Sequence, residues 1–156
     1  MFSGVGMVSP GVFADLAALR ACWHPVAFAS EVADRPVAAD LLGEPLVVWR
    51  GADGGPRVMS DLCVHRGTAL SLGWVAGDEL VCPYHAWRYG ADGRCTAIPQ
   101  KEDPAAVPVK ARVRAFRVQE RYGLIWVALD EPRWPLPEVP ELENGAWTVV
   151  DRKSVV

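Results

Sequence analysis

Residues 63–89 read CVHRGTALSLGWVAGDELVCPYHAWRY, and two short motifs inside them, Cys63-Val64-His65 and Cys82-Pro83-Tyr84-His85, carry the reading of the whole chain. Each motif puts one thiol and one imidazole into a loop, and sixteen residues separate the two. Thiolate with imidazole suits zinc or an iron–sulfur unit, whereas calcium and magnesium take oxygen ligands. A single tetrahedral zinc usually draws its loop ligands from positions two to four residues apart, so the one residue between Cys63 and His65 is tight for both to close on one ion. A pair of metals relaxes that strain if each loop gives its cysteine to one and its histidine to the other. Taken singly, either histidine reads as an ordinary satisfied polar residue. The four together, in matched loops flanking the apolar segment 69–75, read as ligands.

Outward from these loops the pattern is of short strands. Pro45 to Arg50, a Gly-Ala-Asp-Gly-Gly turn and Arg57 to Asp61 make a hairpin whose glycines supply positive-φ positions. Further strands are expected at Glu79–Cys82, Trp87–Tyr89, Arg94–Ile98, Ala111–Gln119 and Leu124–Leu129, with turns at Ala91-Asp92-Gly93 and Arg121-Tyr122-Gly123. Leu16, Leu19 and Trp23 lie at helical spacing behind Asp15, a possible cap, so one short helix is expected over 15–23, stopped by Pro25. The segment DEPRWPLPEVPELENG (130–145) suits an extended connector better than sheet or helix. A strand-like run resumes at Trp147–Val150. The expected fold is mainly β, built from small antiparallel sheets.

The 156 residues are 51% hydrophobic and 22% charged, enough for one domain with a real core and unlike a disordered chain. Sixteen basic and nineteen acidic residues give a formal charge of -3, too balanced for a nucleic-acid partner or a membrane surface. The longest charge-free stretches, residues 1–14 and 67–77, fall short of the roughly 20 apolar residues that cross a bilayer. The N-terminus lacks a basic segment of the secretory type, so a cytoplasmic location is expected. Four cysteines at uneven spacing then read as metal ligands or buried thiols, not as a disulfide framework. Cys22 and Cys95 have no second ligand pair near them and are expected as buried small hydrophobes. His24, beside Pro25, is expected to play no functional part.

CVHRG at 63–67, then CPYHAWRY at 82–89 with GADGRCTAIP at 90–99, resembles the Rieske domain at the N-terminus of aromatic-ring-hydroxylating and vanillate demethylase-like oxygenases. The resemblance runs from WHPVAFASEV (23–32) and LLGEPLVVWR (41–50) through RYGLIWVAL (121–129) to the Pro-rich connector. It implies a Rieske iron–sulfur fold with a two-loop subdomain holding a 2Fe-2S cluster. Cys63 and Cys82 are then thiolate ligands of the inner iron, and His65 and His85 imidazole ligands of the outer one. Around them, Gly67 lets the backbone approach sulfide, Pro83 stiffens its turn, Arg66 and Tyr84 line the exposed edge, and Trp87 packs beneath it. Ala86 stands where the family's second loop has glycine.

The same resemblance implies an N-terminal extension with a short helix and first strand over 1–44 and a Rieske domain over 45–130. Over 131–156 it implies a connector and the start of a C-terminal catalytic domain missing from the sequence. That domain would carry a mononuclear non-haem iron, whose facial triad needs two histidines and a carboxylate; with His65 and His85 committed, only His24 is left. The chain alone is therefore expected to relay electrons from a reductase or ferredoxin to such an iron in a neighbouring subunit of a homotrimer, and to hydroxylate nothing itself. A self-standing Rieske ferredoxin-like carrier and a zinc-binding structural module are the other readings. The connector and the N-terminal segment favour a truncated oxygenase component.

Two imidazoles in place of two thiolates remove about two negative charges, which raises the potential above that of four-cysteine ferredoxins. Respiratory Rieske proteins carry an extra cysteine in each loop, at the positions of Thr68 and Tyr84, and a serine hydroxyl at that of Trp87. Without those features the midpoint is expected at the low end of the Rieske range, about -150 mV, and it should fall as pH rises past the pKa of the iron-bound imidazoles. A redox titration landing near the top of that range, or a midpoint flat from neutral to strongly alkaline pH, contradicts this.

Overall fold

The computed structural model describes residues 11–101, 103 and 107–144. Three antiparallel sheets organise them. β1 (His24–Phe28), β9 (Arg117–Arg121) and β10 (Leu124–Ala128) form the first, in the order β1-β10-β9. The second is β2 (Val37–Leu41), β3 (Glu44–Arg50) and β4 (Pro56–Ser60), and the third is β5 (Trp74–Ala76), β6 (Glu79–Val81), β7 (Arg88–Tyr89) and β8 (Cys95–Ala97), each in chain order. Helix α1 (Gly11–Arg20) precedes them and a single turn, α2 (Pro140–Glu143), follows. The mainly β expectation holds.

β3 explains how three small sheets share one body. Its run Leu46-Val47-Val48-Trp49 is apolar at every position because both faces are buried. Leu46 and Val48 face a core with Val32, Leu41, Val58, Phe116, Ile125, Val127 and Leu129. Val47 and Trp49 face the opposite core, which contains Met59, Leu70, Leu80, Tyr89, Cys95, Val113 and the two loop cysteines. β4 splits in the same way, Val58 to one side and Met59 to the other. The hairpin of β3 and β4 is thus a partition with the first sheet on one side and the third sheet, with its ligand loops, on the other.

Several elements differ from the sequence reading. The helix runs over Gly11–Arg20 and not 15–23, so Asp15 lies inside it, and His24–Phe28 is a strand paired with β10 (His24↔Val127, Pro25↔Trp126). Pro25 is tolerated because β1 is an edge strand and needs no donor on its outer side. The expected strand 111–119 becomes β9 at Arg117–Arg121, while residues 111–116 pass between sheets through isolated bridges, Arg94↔Arg112 and Met59↔Ala115. The connector contains the helical turn α2, begun by Pro140 at a position where its missing N–H costs nothing. The strand-like run 147–150 lies outside the described residues.

The turn at 90–94 fixes the crossing segment beneath the third sheet. Gly93 has φ +78°, and its amide and carbonyl bond to Gly90 O at 2.9 Å and Val113 N at 2.8 Å. A Cβ on Gly93 would stand 2.2 Å from the carbonyl oxygen of Val113. Gly93→Ala therefore combines a left-handed backbone with a backbone collision, and urea unfolding should show a loss of about 2 kcal/mol or more.

Asp130 joins the two ends of the fold. It accepts from Arg114 at 2.6 Å and from Arg20 Nε at 3.1 Å, while its own amide donates to Arg20 O at 2.9 Å. The Arg114 hydrogen bond, followed by that from Arg20, holds its carboxyl below the ordinary 3.8. A folded-state pKa below the unfolded one gives a contribution present above about pH 4 and lost as pH falls through the depressed value. Asp130→Asn should lower the unfolding midpoint at neutral pH and flatten its decline below pH 4; an unchanged acid limb contradicts the coupling.

Candidate metal centre

Both ligand loops are closed by the same two backbone hydrogen bonds. Cys63 N donates to Thr68 O at 2.9 Å and Cys63 O accepts from Gly67 N at 2.8 Å; Cys82 N donates to Trp87 O at 2.9 Å and Cys82 O accepts from Ala86 N at 3.0 Å. Each loop is thus a six-residue turn with its cysteine first. The fifth position needs a left-handed backbone, met by Gly67 (φ 69°) and by Ala86 (φ 55°). Ala86 adopts the glycine-like conformation despite its Cβ, at a cost of about 1 kcal/mol. The turns differ in where the histidine sits: third in the first loop, fourth in the second. That offset brings the rings of His65 and His85 to 4.7 Å between centroids, tilted by 57°.

The loops are braced differently. The second grows out of paired strands, Leu80↔Tyr89 and Val81↔Arg88. The first has only an isolated bridge, Leu62↔Ala69, at its base. Asp61 makes up the difference: this buried carboxylate accepts from Ser71 N at 2.6 Å and Ser71 Oγ at 2.7 Å, and its own carbonyl accepts from Leu70 N at 2.8 Å. Hydrogen bonds to a charged acceptor are the stronger kind, worth roughly 1.5–3 kcal/mol each.

Thiols and imidazoles are layered by depth. Cys63 and Cys82 are 2% exposed, whereas His65 and His85 are half-buried. Burial pushes the Cys82 thiol up; amide hydrogen bonds from Tyr84 and His85 pull the other way, and the neighbouring Cys63 adds to the rise. Burial lowers the His65 imidazole, and the charges of His85 and Arg66 push it the same way, which favours the neutral, ligating form. His85 Nδ1 is shielded from solvent without any hydrogen-bond partner. A buried ring nitrogen without a partner is costly unless something else takes its lone pair. Among the described residues no three of His, Cys, Asp and Glu close on one point as a single ion requires. Two thiols, two imidazoles and an orphaned ring nitrogen fit a two-iron group held from both sides.

The structure brings the other sequence-predicted residues to the same place. Tyr84 is exposed, with its ring 3.8 Å from that of His85. The Trp87 ring lies flat on His65, 4.5 Å away at 4°. Arg66 and Gly67 are exposed on the first loop. All four cysteines are free. Cys95 is buried as expected, whereas Cys22 is only half-buried, 3.5 Å from Ala18 O. His24 ties the end of α1, with Nε2 2.8 Å from Leu19 O. Tyr89 and Asp61 escape the sequence reading. The only signal for Tyr89 is that a buried phenol must find a partner; it sits on β7 with its hydroxyl 3.0 Å from Cys63 Sγ. Burial, followed by contact with Cys63, raises its pKa far above the ordinary phenol value, so the hydroxyl stays protonated and can donate.

Comparison with known proteins agrees with this geometry. The model of the Rieske [2Fe-2S] domain matches residues 22–117. The methylxanthine N1-demethylase NdmA of Pseudomonas putida is 43% identical over 118 residues, 72% of this chain and 33% of the demethylase. The oxygenase component of 3-ketosteroid-9-alpha-monooxygenase from Rhodococcus rhodochrous is 38% identical over 133 residues, 81% of this chain and 34% of the relative. Dicamba monooxygenase superposes with a TM-score of 0.74 at 30% identity, covering 82% of this chain and 41% of the enzyme. The chain thus spans about a third of the length of these curated relatives.

A donor to a cysteine sulfur stabilises the more negative, reduced centre. Tyr89→Phe should therefore lower the midpoint by about 60 mV, the equivalent of one tenfold change in a one-electron equilibrium. Voltammetry of the cluster-loaded protein reads this, and an unchanged midpoint removes Tyr89 from the centre's tuning.

Proposed function

Because the chain belongs to the Rieske [2Fe-2S] domain family, whose cofactor is a Rieske-type 2Fe-2S cluster, we propose that it is the electron-relay part of an oxygenase component. Such a component would hydroxylate or demethylate an aromatic-type substrate with O2. The observation that carries the reading is the pair of matched loops, each offering one buried thiol and one half-buried imidazole, with His85 Nδ1 left without a partner. In this reading Cys63 and Cys82 would hold the inner iron and His65 and His85 the outer one. When bound, the cluster supplies one-electron chemistry.

The chain's own residues control access. The cysteine side is sealed by the core of Val47, Trp49, Met59, Leu70 and Tyr89, which excludes water and leaves the imidazole side as the port. Exposed Tyr84 and Arg66 line that port, and the cation favours a donor with an acidic contact surface. A reductase or ferredoxin donates there. The acceptor is a mononuclear non-haem iron in a C-terminal catalytic domain, held in a neighbouring subunit of a homotrimer in the cytoplasm. In this reading residues 1–44 form the extension, 45–130 the cluster domain, and 131–156 lead into the catalytic domain. The demethylase and monooxygenase names of the relatives support that class. No described helix is long and apolar enough to cross a membrane.

A second reading, a carrier that is not part of an oxygenase, draws support from the oxidoreductase NdmD of Pseudomonas putida. It is 40% identical over 112 residues, and the match spans only 19% of that protein.

Anaerobic dithionite titration tests the relay. The loaded chain should take up about one electron per cluster, and His65→Ala and His85→Ala should each abolish the visible absorbance. Substituted proteins with unchanged absorbance contradict the ligand assignment.

A further inference from the structure

Two of the buried side-chain nitrogens without a hydrogen-bond partner belong to the ligand loops, His85 Nδ1 and Trp87 Nε1. The first is explained by iron. The second is an N–H, which no metal can satisfy. Its donor is shielded from solvent, so neither water nor a docking protein reaches it, and it has no hydrogen-bond partner. An indole N–H buried this way costs about 1–3 kcal/mol if nothing accepts from it. Trp87 is held tightly where it is. Its carbonyl closes the second loop onto Cys82 N at 2.9 Å, and its ring is stacked flat on His65 at 4.5 Å. The acceptor must therefore arrive with whatever the loops bind, and the polar atoms a 2Fe-2S cluster adds are its inorganic sulfides.

We infer that Trp87 Nε1–H donates a hydrogen bond to an inorganic sulfide of the bound cluster, so that one side chain both orients His65 by stacking and tunes the centre by donation. The inference rests on the cluster reading above and deepens it. Donation to sulfide favours the reduced state, whose sulfur carries more negative charge. Trp49 Nε1 is orphaned as well, but Trp49 belongs to the core that seals the cysteine side, so the internal control is Trp126, whose Nε1 donates to Arg121 O at 3.0 Å in the first sheet.

The test is an EPR-monitored redox titration of the cluster-loaded full chain and its Trp87→Phe and Trp126→Phe variants. Phenylalanine keeps the stack and removes the donor. Trp87→Phe should shift the reduction equilibrium about tenfold toward the oxidised state, equivalent to about 59 mV for one electron, while Trp126→Phe leaves it in place. Wild-type protein grown on 15N-indole tryptophan should also show a weak indole-nitrogen coupling to the reduced centre in pulsed EPR, beside the two histidine couplings. The coupling should persist in labelled Trp49→Phe protein, and that measurement decides the question even if Trp87→Phe fails to assemble. An unchanged midpoint in Trp87→Phe, an equal shift in Trp126→Phe, or no indole coupling overturns the inference while leaving the cluster reading intact. Protein lacking acid-labile sulfide overturns both.

Discussion

Closure of each ligand loop by one amide and one carbonyl of its own cysteine is the constraint on which the centre depends. Those two bonds fix the direction of the thiol and force the fifth residue into the left-handed region, where Gly67 and Ala86 both sit. With the backbones matched, moving the histidine by one position is enough to bring two imidazoles together above two thiols. The arrangement is costly without a metal. Burial opposes ionisation of the Cys82 thiol, and His85 Nδ1 has no partner. A bound cluster removes both penalties, so loading and folding of this region are coupled in the manner of other small metal domains.

The rest of the fold supplies rigidity to those loops. The β3–β4 partition gives the third sheet a hydrophobic floor of Val47, Trp49 and Met59, and the crossing segment contributes Ala111 and Val113 from below. Charge does its work at the other end. Asp130 and Glu131 engage Arg20, Arg114 and Arg117 where the chain leaves the last strand, which anchors the start of the connector against the first sheet. Sequence enters function through packing here, because the loop cysteines are buried in the floor beneath them.

The four candidate ligands were legible because their spacing is chemical and local. Two Cys and two His in loops of this size admit few partners other than a metal group. The hairpin 44–60 and the strand 124–128 were legible for a similar reason, since apolar runs flanked by turn residues need no long-range information, whereas the strand expected over 111–119 lies at 117–121. β1 and β2 were not. Pro25 interrupts the pattern of β1, and the Ala38-Ala39-Asp40 stretch of β2 has weak intrinsic strand preference, so both depend on pairing with β10 and β3. Tyr89 and Asp61 were hidden for the same cause. Their roles exist only after folding brings a phenol to Cys63 and a carboxylate to Ser71, and an isolated tyrosine or aspartate in a strand carries no mark of that.

Iron and acid-labile sulfide analysis of anaerobically purified protein tests the central claim most directly. The two-loop centre predicts about two irons and two sulfides per chain. Stoichiometric zinc with no labile sulfide would contradict it.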